Sequence, residues 1–306
     1  MTSPTPKLSI GLPVYNGENY LAEALDTLLA QSFEDFEVMI SDNASTDRTQ
    51  EICEAYARRD ARIRYARLSE NRGAAYNYNR VFEETSAPYF KWAAHDDLCE
   101  PTFLERCVEA LDSAGADTVL SYTAAVTIDG EGAPIVPDPY ASGDFLRPQS
   151  DFAPARLVHT LRKMSMVNAV FGVIRRDALR KTRLIGPFVA SDYVLMVELA
   201  MLGRFTRLDE PLLLRRKHPE GSRHEANPTL ADVAAWFHGG DRKAPVLSPR
   251  LRLTLEYLRS TSSAELPLAT RLACTAVVLP TLAERRLRVT AGRWRRRLLR
   301  REDALA

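Results

Sequence analysis

From Leu8 to Ile128 the chain alternates short apolar runs with segments of helical period, and this alternation constrains its fold more than any single motif. The run Leu8 to Asn16, closed by Pro13 and Asn16-Gly17, reads as a buried strand. Leu21, Leu25, Leu28 and Leu29 then share one helical face. Phe36 to Asn43 is a second strand ending in Asp42-Asn43, and Ser45-Thr46-Asp47 offers N-cap groups for a helix to about Ala57. Arg62 to Leu68 alternates as a third strand, and Gly73 opens a helix to about Glu84. Pro88 to Ala94 is the fourth strand, with Pro101 suited to the first turn of the helix after it. Asp117 to Ile128 is the fifth, ended by Asp129-Gly130. Strands alternating with helices require crossover connections, hence an α/β fold with a mainly parallel sheet covered on both faces.

In such sheets ligands bind beyond the carboxyl ends of the strands. The polar residues that end the runs are Asn16, Asp42, Asn43, Asn71 and His95-Asp96-Asp97, and parallel strands would gather them at one end of the sheet. Later, Ala133 to Pro154 is rich in Pro, Asp and Ser and reads as a long surface loop. A helix is expected from about Pro154 to Val167, a short strand near Phe171 to Arg175, a helix over Ser191 to Leu202 and strand character in Asp209 to His218. Beyond about Asn227 the pattern is helical. The chain therefore divides into a domain over 1–226, with halves of about 1–130 and 131–226, and an extension over 227–306.

The formal net charge of +1 gives no general attraction to nucleic acid. The four cysteines form no C-x-x-C pair, which argues against a zinc ribbon or redox motif and suits a reducing compartment. No basic-then-apolar leader opens the sequence, and the apolar stretch Leu272 to Ala283, broken by Pro280, falls short of the roughly 20 residues a bilayer needs. Together these predict a cytoplasmic protein.

Adjacent aspartates after a buried strand repel unless a cation or hydrogen bonds offset the charge. Asp96 and Asp97 suit Mg²⁺ or Mn²⁺, which bind through one or two carboxylates plus substrate phosphates; a solvated loop that caps the next helix is the plainer alternative. Asp42 could accept from ligand N–H groups or start a turn. Asp192 could cap its helix or act as a general base. Beside Arg215, Arg216 and Lys217, His218 is disfavoured from protonation, as suits a neutral metal ligand.

In this order, PVYNG, SDNASTDRT, ENRGAAYNYN, HDD, SDYVLMVELAMLG and RRKHPEGSRH resemble the nucleotide-sugar glycosyltransferases of family 2, over about Lys7 to Arg223. The resemblance implies a GT-A fold, a Rossmann-like nucleotide-binding half merged with an acceptor-side half, and inverting transfer from a nucleoside-diphosphate sugar. It implies that Pro13, Tyr15 and Asn16 line the base and ribose pocket. Asp42 and Asn43 would bind there too, with uracil the commonest base. Asn71, Arg72 and Gly73 would approach the nucleotide and Asp96 the ribose or sugar. Asp97 would hold a divalent cation, Mn²⁺ or Mg²⁺, with His218 on the metal side. Asp192 would be the catalytic base, with Arg216 and Ser222 near the phosphates. His95 stands where an aspartate is common, which puts donor-sugar selectivity in question. The implied acceptor is a carbohydrate or lipid-linked glycan of the cell envelope. A sugar nucleotidyltransferase and a catalytically silent nucleotide-sugar binder are the alternatives. A dehydrogenase is disfavoured by the lack of G-x-G-x-x-G after the first strand.

Residues 285–301 hold nine arginines and no acidic residue. As a helix this tail would either pack on the body or lie on a membrane surface. No nucleic-acid-binding fold accompanies it.

Overall fold

The structure is a computed structural model that describes residues 5–138, 145–219, 236–237 and 248–303, with side chains described to 291. Its centre is an eight-stranded mixed sheet in the order β3-β2-β1-β4-β7-β6-β8-β5. The first four strands are β1 (Leu8–Val14), β2 (Phe36–Asp42), β3 (Ile63–Arg67) and β4 (Tyr89–Trp92). They are parallel, with β1 between β2 and β4. The helices α1 (Leu21–Leu29), α2 (Thr49–Arg59) and α3 (Ala74–Glu83) connect them. Strand order reverses between β1 and β4, which opens a crevice beyond their carboxyl ends.

Period-two alternation explains how one sheet serves two cores. Leu8, Ile10, Leu12 and Val14 point to one face with Leu21, Leu25, Val38, Ile40, Leu104 and Cys107. Met39, Val81, Phe90 and Trp92 point to the other. Gly11 faces α3, where a Cβ would come within 2.6 Å of Val81. The position admits nothing larger than glycine without moving the helix.

After β4 come β5 (Leu98–Cys99), α4 (Phe103–Ser113) and β6 (Thr118–Ile128). Helix α4 starts two residues beyond Pro101, which lies in the turn that precedes it. In the stretch read as a surface loop, the described residues 133–138 and 145–152 are largely without regular structure, but Leu146 is fully buried. Its N–H donates to the Tyr122 hydroxyl at 2.9 Å, and that hydroxyl donates to its carbonyl at 3.1 Å. This two-way bond satisfies the backbone of a loop residue drawn into the core.

Helix α5 (Ala153–Lys163) stops short of Val167, because Met164 is extended and a 3-10 turn over Asn168–Phe171 follows. Next come β7 (Val173–Arg175), α6 (Arg176–Leu179), α7 (Ser191–Leu202) and β8 (Arg204–Arg216). Strand β8 runs parallel to β6 and antiparallel to β5, and β7 is antiparallel to β4 and β6.

Two C-terminal helices complete the fold, α8 (Pro249–Ser263) and α9 (Leu268–Asp303). Helix α9 continues through Pro280, which interrupts the apolar run but not the helix. Tyr257, Cys274 and Val278 join the core that α7 lines. Arg183 fastens the attachment. It donates to Glu198 of α7 at 2.6 Å, and to Glu256 at 2.7 Å and Ser260 at 2.6 Å on α8. Glu198 interrupts an apolar helix, and this arginine is what makes its burial tolerable. Among the described residues, no helix is long and apolar enough to cross a membrane.

Candidate active site

The carboxyl ends of β1 and β2 are tied into one wall. Asn16, at φ 51°, adopts the left-handed conformation that Asn tolerates better than most residues. Its N–H donates to Ser45 Oγ at 2.9 Å and its Oδ1 accepts from the Thr46 N–H at 2.9 Å. The Gly17 N–H donates to Thr49 Oγ1 at 2.8 Å. Beside this staple Pro13 is buried, while Tyr15 and Asn16 are exposed. His95, arriving from β4, lies on Gly17, where a Cβ would meet its ring at 2.7 Å. The two strand-end loops that flank the crevice therefore touch.

Asp42 is fully buried. It accepts from the Ser45 N–H and the Tyr65 hydroxyl, each at 2.8 Å, with Arg67 Nε 3.3 Å away. A base bound there would share a carboxylate already held by three protein groups. Asn43 Nδ2 donates to Asn71 Oδ1 and its Oδ1 accepts from the Arg72 N–H, both at 2.9 Å. Asn71 Oδ1 also accepts from the Gly73 N–H at 2.9 Å, and Gly73 has φ 82°. Arg72 lies 3.7 Å over the Tyr76 ring. Asn43, Asn71, Arg72 and Gly73 are thus one connected loop pair.

The pairing of β5 with β8 brings Asp96 and Asp97 against the end of β8. The Arg216 N–H donates to Asp97 Oδ1 at 2.9 Å, and its Nε donates to the Asp96 carbonyl at 3.0 Å. The same guanidinium donates to the Gly130 carbonyl at 2.9 Å and to Glu23 at 2.6 Å, and lies 4.7 Å over the Tyr20 ring. Its side chain is 1% exposed. The resemblance implied a place near the phosphates for Arg216; its guanidinium is turned inward, enclosed by carbonyls and a carboxylate. His218 is buried, with Nε2 3.0 Å from Asp96 Oδ2 and its ring 4.5 Å from that of Tyr20. Ser222 lies outside the described residues.

Burial, and next the charge of Asp96, push the Asp97 carboxyl well above the usual carboxylate range, against the pull of Arg215 and Lys91. For Asp96 burial acts the same way, but the hydrogen bond from His218 and the charge of His95 outweigh it and hold the group low. Asp97 is thus a carboxylate whose negative form lacks enough positive neighbours. Among the described residues, His218 Nδ1 is buried with no partner. Both observations fit a divalent cation. Among the described residues no three His, Cys, Asp or Glu side chains could hold one alone. The fit is therefore to Mg²⁺ or Mn²⁺ completed by substrate oxygens.

Asp192 sits in the first turn of α7, after Ala190 in the left-handed region at φ 63°. Burial raises the Tyr78 phenol, as do the charges of Asp96, Asp97 and Asp192. One ring thus stands within electrostatic reach of all three carboxylates. The reading from sequence missed Tyr20, Glu23, Tyr78 and Lys91, and took Arg215 only as a cation beside His218. Lys91 carried a signal, as the one charge in the strand YFKW; its Nζ donates to the Phe171 carbonyl at 2.7 Å.

Arg216→Met should destabilise the protein by about 1–3 kcal/mol, because carbonyls it satisfies lose their donor. Urea unfolding checks this; an unchanged midpoint would show that the clamp is dispensable.

The sequence matches the family model described as Glycosyl transferase family 2 over residues 9–183. An uncharacterized glycosyltransferase of Rickettsia typhi is 33% identical over 125 residues, which are 41% of this chain and 38% of that protein. TuaG of Bacillus subtilis, named for teichuronic acid biosynthesis, is 30% identical over 135 residues, 44% of this chain and 53% of its own length. The chain thus spans well under two thirds of these curated relatives. Among solved structures, S. aureus TarS 1-349 in complex with UDP-GlcNAc has a TM-score of 0.64 at 20% identity, covering 90% of this chain and 72% of that one. The mannosyltransferase PcManGT from Pyrobaculum calidifontis, in complex with GDP-Man and Mn²⁺, has a TM-score of 0.51 at 17% identity, covering 94% and 76%.

Proposed function

The chain belongs to glycosyl transferase family 2, and on that premise we propose that it moves a sugar from a nucleoside-diphosphate sugar to an acceptor hydroxyl, with inversion at the anomeric carbon. The observation that carries the reading is the convergence of Asp96, Asp97 and His218 at the crevice beyond β1 and β4, with Tyr78 linking them electrostatically to Asp192. Residues 1–226 form the catalytic domain in this reading, with the nucleotide half over about 1–130 and the acceptor side over 131–226. Residues 227–306 are the C-terminal extension, helical over 249–263 and 268–303, while residues 227–235, 238–247 and 304–306 lie outside the described ones. Buried unpaired Cys53, Cys99, Cys107 and Cys274 support a cytoplasmic setting.

In the mechanism, the loop pair of Asn43 and Asn71 to Gly73, with Pro13, Tyr15, Asn16 and Asp42, seats the nucleotide. Asp97 and His218 would hold Mn²⁺ or Mg²⁺, which when bound supplies positive charge to the leaving diphosphate. Asp96 orients His218 through the 3.0 Å contact and faces the sugar. Asp192 takes the proton of the attacking hydroxyl as the bond to the leaving oxygen breaks. A UDP-sugar is the preferred donor and an envelope polysaccharide or lipid-linked glycan the acceptor. TarS with UDP-GlcNAc and TuaG of teichuronic acid synthesis support that choice.

Thermal unfolding with UDP-, GDP- and dTDP-sugars, with and without Mn²⁺, tests the donor. A UDP-sugar should give the largest metal-dependent stabilisation, about 2.7 kcal/mol at a hundredfold excess over Kd. No response to any nucleotide sugar would sink the reading, and a retained anomeric configuration in the product would sink inversion.

A further inference from the structure

Helix α9 carries two apolar faces, and only one is used by the fold. Cys274, Val278 and Thr281 are buried against the body. Cys274 lies two residues from Leu272, and Thr281 two from Leu279, about 200° round a helix of 3.6 residues per turn. On that far side Leu268, Leu272, Ala276, Leu279, Ala283 and Leu287 follow at intervals of four, four, three, four and four residues, and all are exposed. The four leucines are 65%, 62%, 55% and 72% exposed. They make one straight stripe roughly 28 Å long, from 1.5 Å of rise per residue. Scattered exposed leucines are ordinary, whereas a contiguous apolar stripe marks an interaction surface.

The charge of the helix says what covers the stripe. Residues 268–301 contain ten arginines and one acidic residue, Glu284. Glu284 is already engaged by Arg162 and Arg288. The partner must therefore be anionic and extended, with an apolar layer beneath its charge. A second copy of the helix would bring ten more arginines against three carboxylates, Glu284, Glu302 and Asp303, and nucleic acid offers no apolar layer for the leucines. Nor does α9 cross a bilayer, since no described helix is apolar enough.

We infer that α9 docks lengthwise on an anionic lipid surface, the leucine stripe entering the headgroup boundary and the arginine-rich end supplying electrostatic attraction. The docking segment thereby begins at Leu268, well before the basic tail, and the body stays on the aqueous side of the membrane. The surface is independent of the proposed transfer chemistry, so its test needs no sugar donor.

The test is flotation of the full chain with vesicles of phosphatidylglycerol and phosphatidylcholine, and with phosphatidylcholine alone. Wild type should float with the anionic vesicles only, and less as salt rises. Leu272→Gln with Leu279→Gln should reduce flotation at least tenfold, as should Arg295→Gln, Arg296→Gln and Arg297→Gln together. Leu272 and Leu279 are exposed, so the first variant should keep the wild-type Tm. Wild type absent from the anionic layer, or the leucine variant floating as wild type does, overturns the proposal. So does a wild-type dimer that the leucine changes dissociate with no effect on flotation, or retention on duplex DNA without any on vesicles.

Discussion

Asp192→Asn is expected to lower turnover by roughly two to four orders of magnitude, the usual contribution of a positioned general base. The amide is nearly isosteric and still accepts hydrogen bonds, but it cannot take the proton of an incoming hydroxyl. Its cost to the fold is much smaller. Asp192 lies in the first turn of α7, where a negative charge favours the helix by about 0.3–1 kcal/mol. The activity loss corresponds to about 3–5 kcal/mol of transition-state stabilisation. An unfolding midpoint close to wild type, an unchanged donor-induced thermal shift and a collapsed kcat would together identify a base. Near-normal turnover would assign the base elsewhere and leave Asp192 as a helix-terminal charge.

Asp97→Asn should behave differently in the absence and presence of the ion. Turnover should fall by two orders of magnitude or more, because positive charge on a leaving diphosphate is worth several kcal/mol. The Mn²⁺-dependent part of the donor-induced stabilisation should vanish with it. Without donor or ion, the variant should unfold at a higher temperature than wild type at pH 7. The sign follows from linkage: the folded protein raises the Asp97 pKa above its unfolded value. The folded state therefore favours the protonated form, and an ionised Asp97 opposes folding at neutral pH. Asn removes that charge while Arg216 keeps an acceptor for its N–H. A variant that loses the ion's contribution and gains ligand-free stability is the signature of a carboxylate retained for function. Unchanged ion dependence would remove Asp97 from the ligand set.

The β/α alternation was legible because strands buried on both faces leave nearly unbroken apolar runs, as at Leu8 to Val14. The strand-end polar residues followed from the parallel arrangement alone. Less legible was anything set by pairing between distant segments. The two residues of β5 carry no pattern of their own, yet their pairing with β8 brings Arg216 and His218 to Asp96 and Asp97. The surroundings of Arg216 were hidden for the same reason. Nothing near it in sequence shows that the carbonyls at Asp96 and Gly130 close round its guanidinium. Leu146 in a Pro- and Ser-rich stretch gave no sign that the Tyr122 hydroxyl would hold it in the core. The helical pattern beyond Asn227 was legible despite Pro280, since a helix packed along one side can continue past one missing N–H.

The Arg183 junction has a consequence for exchanging parts between relatives. The family match ends at residue 183, and everything that Arg183 grips lies beyond it: Glu198 on the helix of Asp192, then Glu256 and Ser260 on α8. Burial first, but also Asp192 itself, raises the Tyr257 phenol of α8, so the extension reaches the surroundings of the proposed base. A chimera with its seam at the proposed boundary near 226 would part Arg183 from Glu256 and Ser260, two of these three partners, and strip the cover from α7. The C-terminal helices can therefore be exchanged only for helices that offer Arg183 and Glu198 the same partners across the seam.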